Sequence, residues 1–186
     1  MDLELPTEDA LFKHTSDMFQ SIFHNVVTTP IPNDINAEAL VQLLHNHSFL
    51  ITMSPIVTRH SEAGRDPRTR AVDYDVWENI AILPFGLWMY ELQFSASFAD
   101  KANGVISWIQ APLGFHSEAN YTVRTARAGE TETERLVLEE SIQTTCPILF
   151  KPFVEWTMVP VRQKMHAKMI EKSRDVGSTA TDALMH

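Results

Sequence analysis

From residue 88 to residue 98 apolar and polar positions alternate without a break. Trp88, Tyr90, Leu92, Phe94, Ala96 and Phe98 fall on one face, and Met89, Glu91, Gln93, Ser95 and Ser97 on the other. Period two sustained this far predicts a strand with one buried face. Shorter stretches of the same kind surround it: IVTRHSE, VDYDVWENIAI, VISWIQA, FHSEANYTVRTA and RLVLEESIQTT. An earlier run rich in β-branched residues, Ser21 to Thr29, stops at Pro30 and Pro32 and predicts a first strand.

Two segments carry the helical period instead. AEALVQLLHNHSFLI follows the candidate caps Asn33, Asp34 and Asn36, and turns Leu40, Leu43, Leu44, Phe49 and Leu50 inward. It is expected to break near His47 into two short helices. The last long stretch, Cys146 to Asp175, spaces Phe150, Val154, Met158, Val161, Met165 and Met169 by threes and fours, one apolar stripe on one helix. Lys164, Lys168, Lys172 and Arg174 crowd its far end, where basic charge suits a helix C-terminus. Pro160 removes a helical hydrogen bond and predicts a kink. The fold class that results is α+β: a curved antiparallel sheet wrapped around a long C-terminal helix, with two short helices after the first strand. Residues 1–20 are expected to be a lead-in, 21–175 the domain, and 176–186 a flexible tail.

The turns divide into two sets. AGRDPRTR, DKANG and RAGETE are charged; LPFGL, APLGF and TTCP are apolar and rich in Pro and Gly. Alternate turns of a meander lie at the same end of its sheet, so the apolar set is expected to gather beside the start of the last helix. Loops normally sit in water, and apolar ones gathered at one end predict the rim of a pocket.

Composition narrows the partners. A net charge of −9 offers no basic stripe to neutralise phosphates, which argues against nucleic acid. The hydrophobic fraction, 44%, is that of an ordinary packed domain. The single cysteine, Cys146, cannot form an internal disulfide. With neither a signal-like N-terminus nor a membrane-length apolar run, a cytoplasmic protein is the expectation. GxSxG, HExxH, GxGxxG, P-loop and CxxC patterns are missing from the sequence. His45 and His47, two apart on a helix, point in different directions and are poor metal ligands. Neither a cofactor nor a metal is expected.

Polar residues in an apolar phase are the stronger signal, because burying them costs a few kcal/mol unless they find partners, roughly. Glu78 shares a face with Tyr74, Val76 and Ile80; Tyr90 with Trp88 and Leu92; Tyr121 with Ser117, Ala119 and Val123; Glu140 with Leu136, Leu138 and Ile142. If those faces line a cavity, Glu140, Tyr121, Tyr90 and Glu78 project into it as acids or hydrogen-bond donors. The alternative is a satisfied carboxylate paired with Arg59, Arg124 or a backbone N–H. Trp88, Phe94, Trp108 and Phe115 from the strands would supply a wall for a hydrophobic ligand, faced by Phe153, Trp156, Thr157 and Pro160 from the helix.

An order of strand, two helices, six-strand meander and long C-terminal helix resembles the START-like (SRPBCC, helix-grip) superfamily. Lipid-transfer domains, plant pathogenesis-related allergens and aromatic polyketide cyclases belong to it. More narrowly, TTPIP, ALVQLLHNHSFLITMSPIVT, ILPFGLW, NGVISWIQAPLGF and CPILFKPFV resemble a fungal group of uncharacterised polyketide-cyclase-like proteins. The resemblance implies an apolar cavity between sheet and helix, and no particular reaction. Two functions fit. One is a cofactor-free cyclase or isomerase for a hydrophobic natural-product intermediate, a pericyclase such as a Diels–Alderase included. The other is a non-catalytic carrier of a lipid or terpenoid. A SnoaL-like enzyme fits less well, since the long helix comes last.

Overall fold

The computed structural model describes residues 20–81, 89–130 and 135–183. Seven strands form one antiparallel sheet in the order β1-β7-β6-β5-β4-β3-β2. They are β1 (Gln20–Pro30), β2 (Val57–Arg65), β3 (Val72–Ala81), β4 (Met89–Lys101), β5 (Gly104–Ala111), β6 (Phe115–Thr125) and β7 (Leu136–Pro147). Strands β2 to β7 are a meander, and β1 closes the other side by pairing with β7 along its whole length, from Gln20 opposite Pro147 to Pro30 opposite Val137. Between β1 and β2 the chain crosses from one edge of the sheet to the other through α1 (Ala37–Leu44) and α2 (His47–Thr52).

The break between these two helices has a local cause. Asn36 caps α1 by accepting from the Glu38 amide, and Asn46 caps α2 by accepting from the Phe49 amide at 3.0 Å. A cap needs a non-helical backbone, so Asn46, just after the His45 cap of α1, interrupts the helical run as it starts α2. Leu40 and Leu44 are wholly buried beneath α1, on the face the spacing predicts.

The long helix α3 runs from Lys151 to Ala183. Its start differs from the expected Cys146, because Cys146 and Pro147 complete β7 and a short turn, Ile148–Phe150, intervenes. Its end differs too. The stretch read as a flexible tail after Asp175 is helical as far as Ala183. Met169 and Ile170 pack into the main core with Leu138, Ile142, Val105 and Val123. Helix α3 continues through Pro160, whose ring is exposed on the outer side.

One glycine fixes how β5 leaves its turn. A Cβ on Gly104 would lie 1.9 Å from the Tyr121 carbonyl oxygen, so only glycine lets the β4–β5 turn close onto β6 at this level. The backbone of Tyr121 is thereby held at the base of the site.

Candidate functional site

A cavity of about 700 Å³ lies between the inner face of the sheet, α2 and α3. The period of two decides what each strand contributes. Val76 and Glu78 come from β3, Leu92, Phe94, Ala96 and Phe98 from β4, Ser107, Ile109 and Ala111 from β5, and Phe115, Ser117, Ala119 and Tyr121 from β6. Helix α3 adds Met158, Arg162, Met165 and Met169, spaced as one stripe, with Val161, Lys164 and Lys168 beside it. Helix α2 and the loop after it supply Leu50, Ile51, Met53, Ser54 and Pro55. Two of the apolar loops reach this space through Ala111, Pro112 and Pro147. The third, LPFGL, lies outside the described residues.

The walls are mostly apolar, with the Ser107 and Ser117 hydroxyls among them and Lys164 and Lys168 beside α3, and two polar groups stand out. The larger polar group joins the sheet to α3. Glu140 on β7 is completely buried; Arg162 Nη1 lies 3.1 Å from its Oε1, and His166 Nε2 lies 3.1 Å from its Oε2. The far side of the His166 ring, Nδ1, is 2.9 Å from Thr29 Oγ1 on β1. Arg162 Nη1 also donates to the Tyr121 hydroxyl at 3.0 Å. Tyr121 stands directly opposite Glu140 in the β6–β7 register, and so these side chains meet. The approach of Arg162 to Oε1 is an ion pair without hydrogen-bond angles, which leaves that buried oxygen with spare acceptor capacity among the described residues.

Electrostatics follow from this packing. Burial pushes the Tyr121 phenol far above its usual range; Arg162 pulls against the rise and Glu140 adds to it. Tyr121 therefore keeps its proton at neutral pH. Burial opposes the charge on Arg162, but Tyr121 and Glu140 outweigh it and hold the guanidinium in its ionised form. Arg162 and Tyr121 line the cavity, whereas Glu140 and His166 stand behind them.

The smaller polar group is Glu78 with Ser54, whose hydroxyl donates to Glu78 Oε1 at 3.1 Å. Burial raises the Glu78 carboxyl above its ordinary value, and the Ser54 hydrogen bond only partly offsets this.

Five expected site residues stand elsewhere. Tyr90 keeps its phase on β4 but is 52% exposed near the strand's start, away from the cavity lining. Trp108 sits between Ser107 and Ile109, which both face inward, so it faces outward between Ser97 and Glu118. Trp156 is 82% exposed: two positions from Met158 is about 200° round the helix, the side away from the sheet. Pro160, two positions after Met158, is exposed for the same reason. Glu140 is buried behind Arg162 rather than pointing into the open space. Phe94 and Phe115 are in the lining. Trp88 lies outside the described residues, as do the side chains of Phe153 and Thr157.

The sequence reading did not pick out Arg162, His166, Thr29 or Ser54. Arg162 had a visible signal. It falls four after Met158 and three before Met165, a cation in an apolar stripe. The expected partners of the two glutamates are also replaced. Arg59 reaches Glu91 and stacks over Trp77, and Arg124 holds Glu139 and Glu130.

Three other described histidines are hydrogen-bonded or exposed. His45 Nε2 is 3.0 Å from the Lys101 and Gly104 carbonyls, and His24 and His116 are exposed. No cluster of three or more His, Cys, Asp or Glu suited to a metal ion occurs among the described residues. Nor is any described helix long and apolar enough to cross a membrane.

The architecture is that of several solved helix-grip proteins. An aromatase/cyclase, Zhui, from Streptomyces sp. R1128 is similar with a TM-score of 0.54 and 12% identity, over 83% of this chain and 93% of that one. A protein of unknown function, SA2116, from Staphylococcus aureus gives a TM-score of 0.55 at 7% identity, over 87% and 99% of the two chains. Norcoclaurine synthase from Thalictrum flavum, in complex with dopamine and hydroxybenzaldehyde, gives 0.50 at 12%, over 92% and 95%. These are likenesses of fold. Sequence comparison with curated proteins finds no match. A domain of unknown function, DUF7053, matches residues 20–175, and the chain belongs to that family.

Proposed function

We propose that the protein is a cofactor-free cyclase or isomerase for a hydrophobic natural-product intermediate bearing a carbonyl group. The observation that carries this reading is the Tyr121–Arg162–Glu140–His166 group opening onto an otherwise apolar cavity. An apolar wall confines a flexible substrate in a reactive conformer, the entropic part of ring closure. At one place in that wall stand a cation and a phenol. Arg162 donates to the phenol oxygen and makes the Tyr121 hydroxyl a stronger donor, for whose proton a substrate carbonyl competes with Glu140. A substrate carbonyl at this point receives the Tyr121 proton as a hydrogen bond, and Arg162 stabilises the charge that develops on its oxygen. Glu140 and His166 do not touch the substrate in this scheme. They are positioning residues, fixing Arg162 by charge and His166 by the Thr29 contact.

The fold supports the reading in its coarse form, since an aromatase/cyclase and norcoclaurine synthase share it. So does the resemblance to polyketide-cyclase-like proteins. The finer activity, a pericyclic ring closure included, rests on the site alone. A carrier without turnover is the second reading, favoured by the largely apolar middle of the cavity.

The experiment incubates the protein with a metabolite extract containing linear polyketide or terpenoid precursors, and follows isomerisation or loss of water by mass-resolved chromatography. Tyr121→Phe is expected to lower turnover about tenfold or more while the precursor still binds. Full turnover in both Tyr121→Phe and Arg162→Lys would sink the assigned roles. Binding without any conversion would favour the carrier.

A further inference from the structure

The two polar groups of the cavity lie at opposite ends of it. Glu78 on β3 stands opposite Leu92, near the start of β4. Tyr121 on β6 stands opposite Val105 of β5, and Val105 in turn faces Asp100, near the end of β4. The two positions are three strands apart, about 14 Å across the sheet, and are separated along β4 by most of its length. Between them the lining is mostly apolar, Val76, Phe94, Ala96 and Ile109 from the strands with Met165 from α3, and includes Ser107. One end offers donors, the Arg162 guanidinium and the Tyr121 hydroxyl. The other offers an acceptor, the Glu78 carboxyl held by Ser54.

A carboxyl in an apolar wall is costly, and among the described residues Ser54 satisfies one of its oxygens. The geometry points to an elongated ligand with two unlike polar ends: an oxygen acceptor, carbonyl or carboxylate, at Arg162 and Tyr121, and a hydroxyl or amino donor at Glu78. This rests on the reading that the cavity is the ligand site, though not on any turnover there. The apolar middle sets the kind of ligand, an extended hydrocarbon or polyene body, and the two ends set its direction. A ligand entering the wrong way round would meet a carboxylate with its acceptor and a guanidinium with its donor. Both contacts are repulsive or unpaired, so the cavity selects orientation as well as shape.

The test uses unreactive probes of known structure: laurate, palmitate and their omega-hydroxy counterparts, titrated into the full chain by calorimetry. In the unaltered protein the omega-hydroxy form of at least one chain length binds about tenfold more tightly than the plain acid. Glu78→Leu removes that gain, so that the plain and the omega-hydroxy acids bind alike. Arg162→Met weakens plain and hydroxylated acids alike, by about tenfold or more. If the plain acids bind but the hydroxyl adds nothing at either length, the two-ended ligand is wrong and the cavity reading survives. Unchanged affinity in Arg162→Met overturns the orientation, because the exposed Lys164 and Lys168 at the rim then hold the acid group. Should none of the probes bind, both the inference and the cavity reading fall. Glu78→Gln serves as the second variant where Glu78→Leu does not fold, and is expected to retain part of the gain.

Discussion

Two histidines are buried against carboxylates on this sheet, and their surroundings give them different work. His47 on α2 is 3.0 Å from Asp100, lies 3.4 Å from the Tyr74 hydroxyl through its other nitrogen, and stacks on Phe98 at 4.9 Å. His166 on α3 is held between Glu140 and Thr29. The first carboxylate, Asp100, is 49% exposed; the second, Glu140, is 0% exposed. Water shares the charge of Asp100, and among the described residues no guanidinium joins the pair. His47 therefore pins α2 to the end of β4 and ends there. Glu140 has no water to share its charge, so it recruits Arg162 as well, and Arg162 reaches the cavity. A buried acid is informative about function when its partners are also in contact with a cavity.

Breaking each pair should separate the two regions most clearly. Glu140→Leu leaves Arg162 and His166 without their shared partner in a dry site and is expected to cost about 3–5 kcal/mol in denaturant unfolding. Replacing Glu140, Arg162 and His166 together by apolar residues of similar volume is expected to recover much of that loss. Asp100→Asn is expected to cost about 1 kcal/mol or less, because its charge is already solvated. A loss for Asp100→Asn as large as for Glu140→Leu would show that exposure does not distinguish the regions.

Function should divide the same way. Tyr121→Phe removes one hydroxyl, a net stability change of about 1 kcal/mol, yet is expected to reduce turnover or head-group binding about tenfold. His47→Gln is expected to lower stability by about 1–2 kcal/mol and leave ligand affinity unchanged within about twofold. Calorimetric titration and thermal melts on the same two variants test this. An affinity loss in His47→Gln equal to that in Tyr121→Phe would join the two regions into one site.

What could be read before the structure divides along a physical line. Strand order, the split of the helical crossover at Asn46 and the stripe of α3 all follow from local period and capping, which the sequence displays. The phases of Glu78, Tyr121 and Glu140 were legible for the same reason. Trp108 was misplaced because its size outweighed its phase: Val105, Ser107 and Ile109 already fixed the inner face of β5. Trp156 and Pro160 were expected to face the sheet for their apolar character, although neither belongs to the stripe, and Met158, Arg162, Met165 and Met169 define the inner face. The pairing of Glu140 with His166 crosses 26 residues, and that of His166 with Thr29 crosses 137. Contacts at such separation depend on how α3 lies across β7 and β1, which no local period records. Arg162 is different. Its place in the methionine stripe shows it to be inward without any tertiary information.

The smallest expected effect concerns Glu78, the acid at the other end of the cavity, and its sign is opposite to that of most carboxylates. Burial raises its carboxyl above the ordinary 4.5, with Ser54 opposing. Between pH 4.5 and the raised value, the unfolded chain has lost this proton and the folded chain still holds it. The folded state then binds more protons, so stability falls as pH rises through that window. Below 4.5 both states are protonated and the penalty vanishes; above the raised value it is fully present. Glu78→Gln removes the ionisation while keeping the shape and a carbonyl to accept from Ser54. Thermal melts should therefore show the variant slightly more stable than the unaltered protein at neutral pH, and equal to it near pH 4. A native protein whose advantage over Glu78→Gln grows with pH would mean that a cation compensates Glu78. The acceptor end of the cavity would then be already occupied by the protein itself.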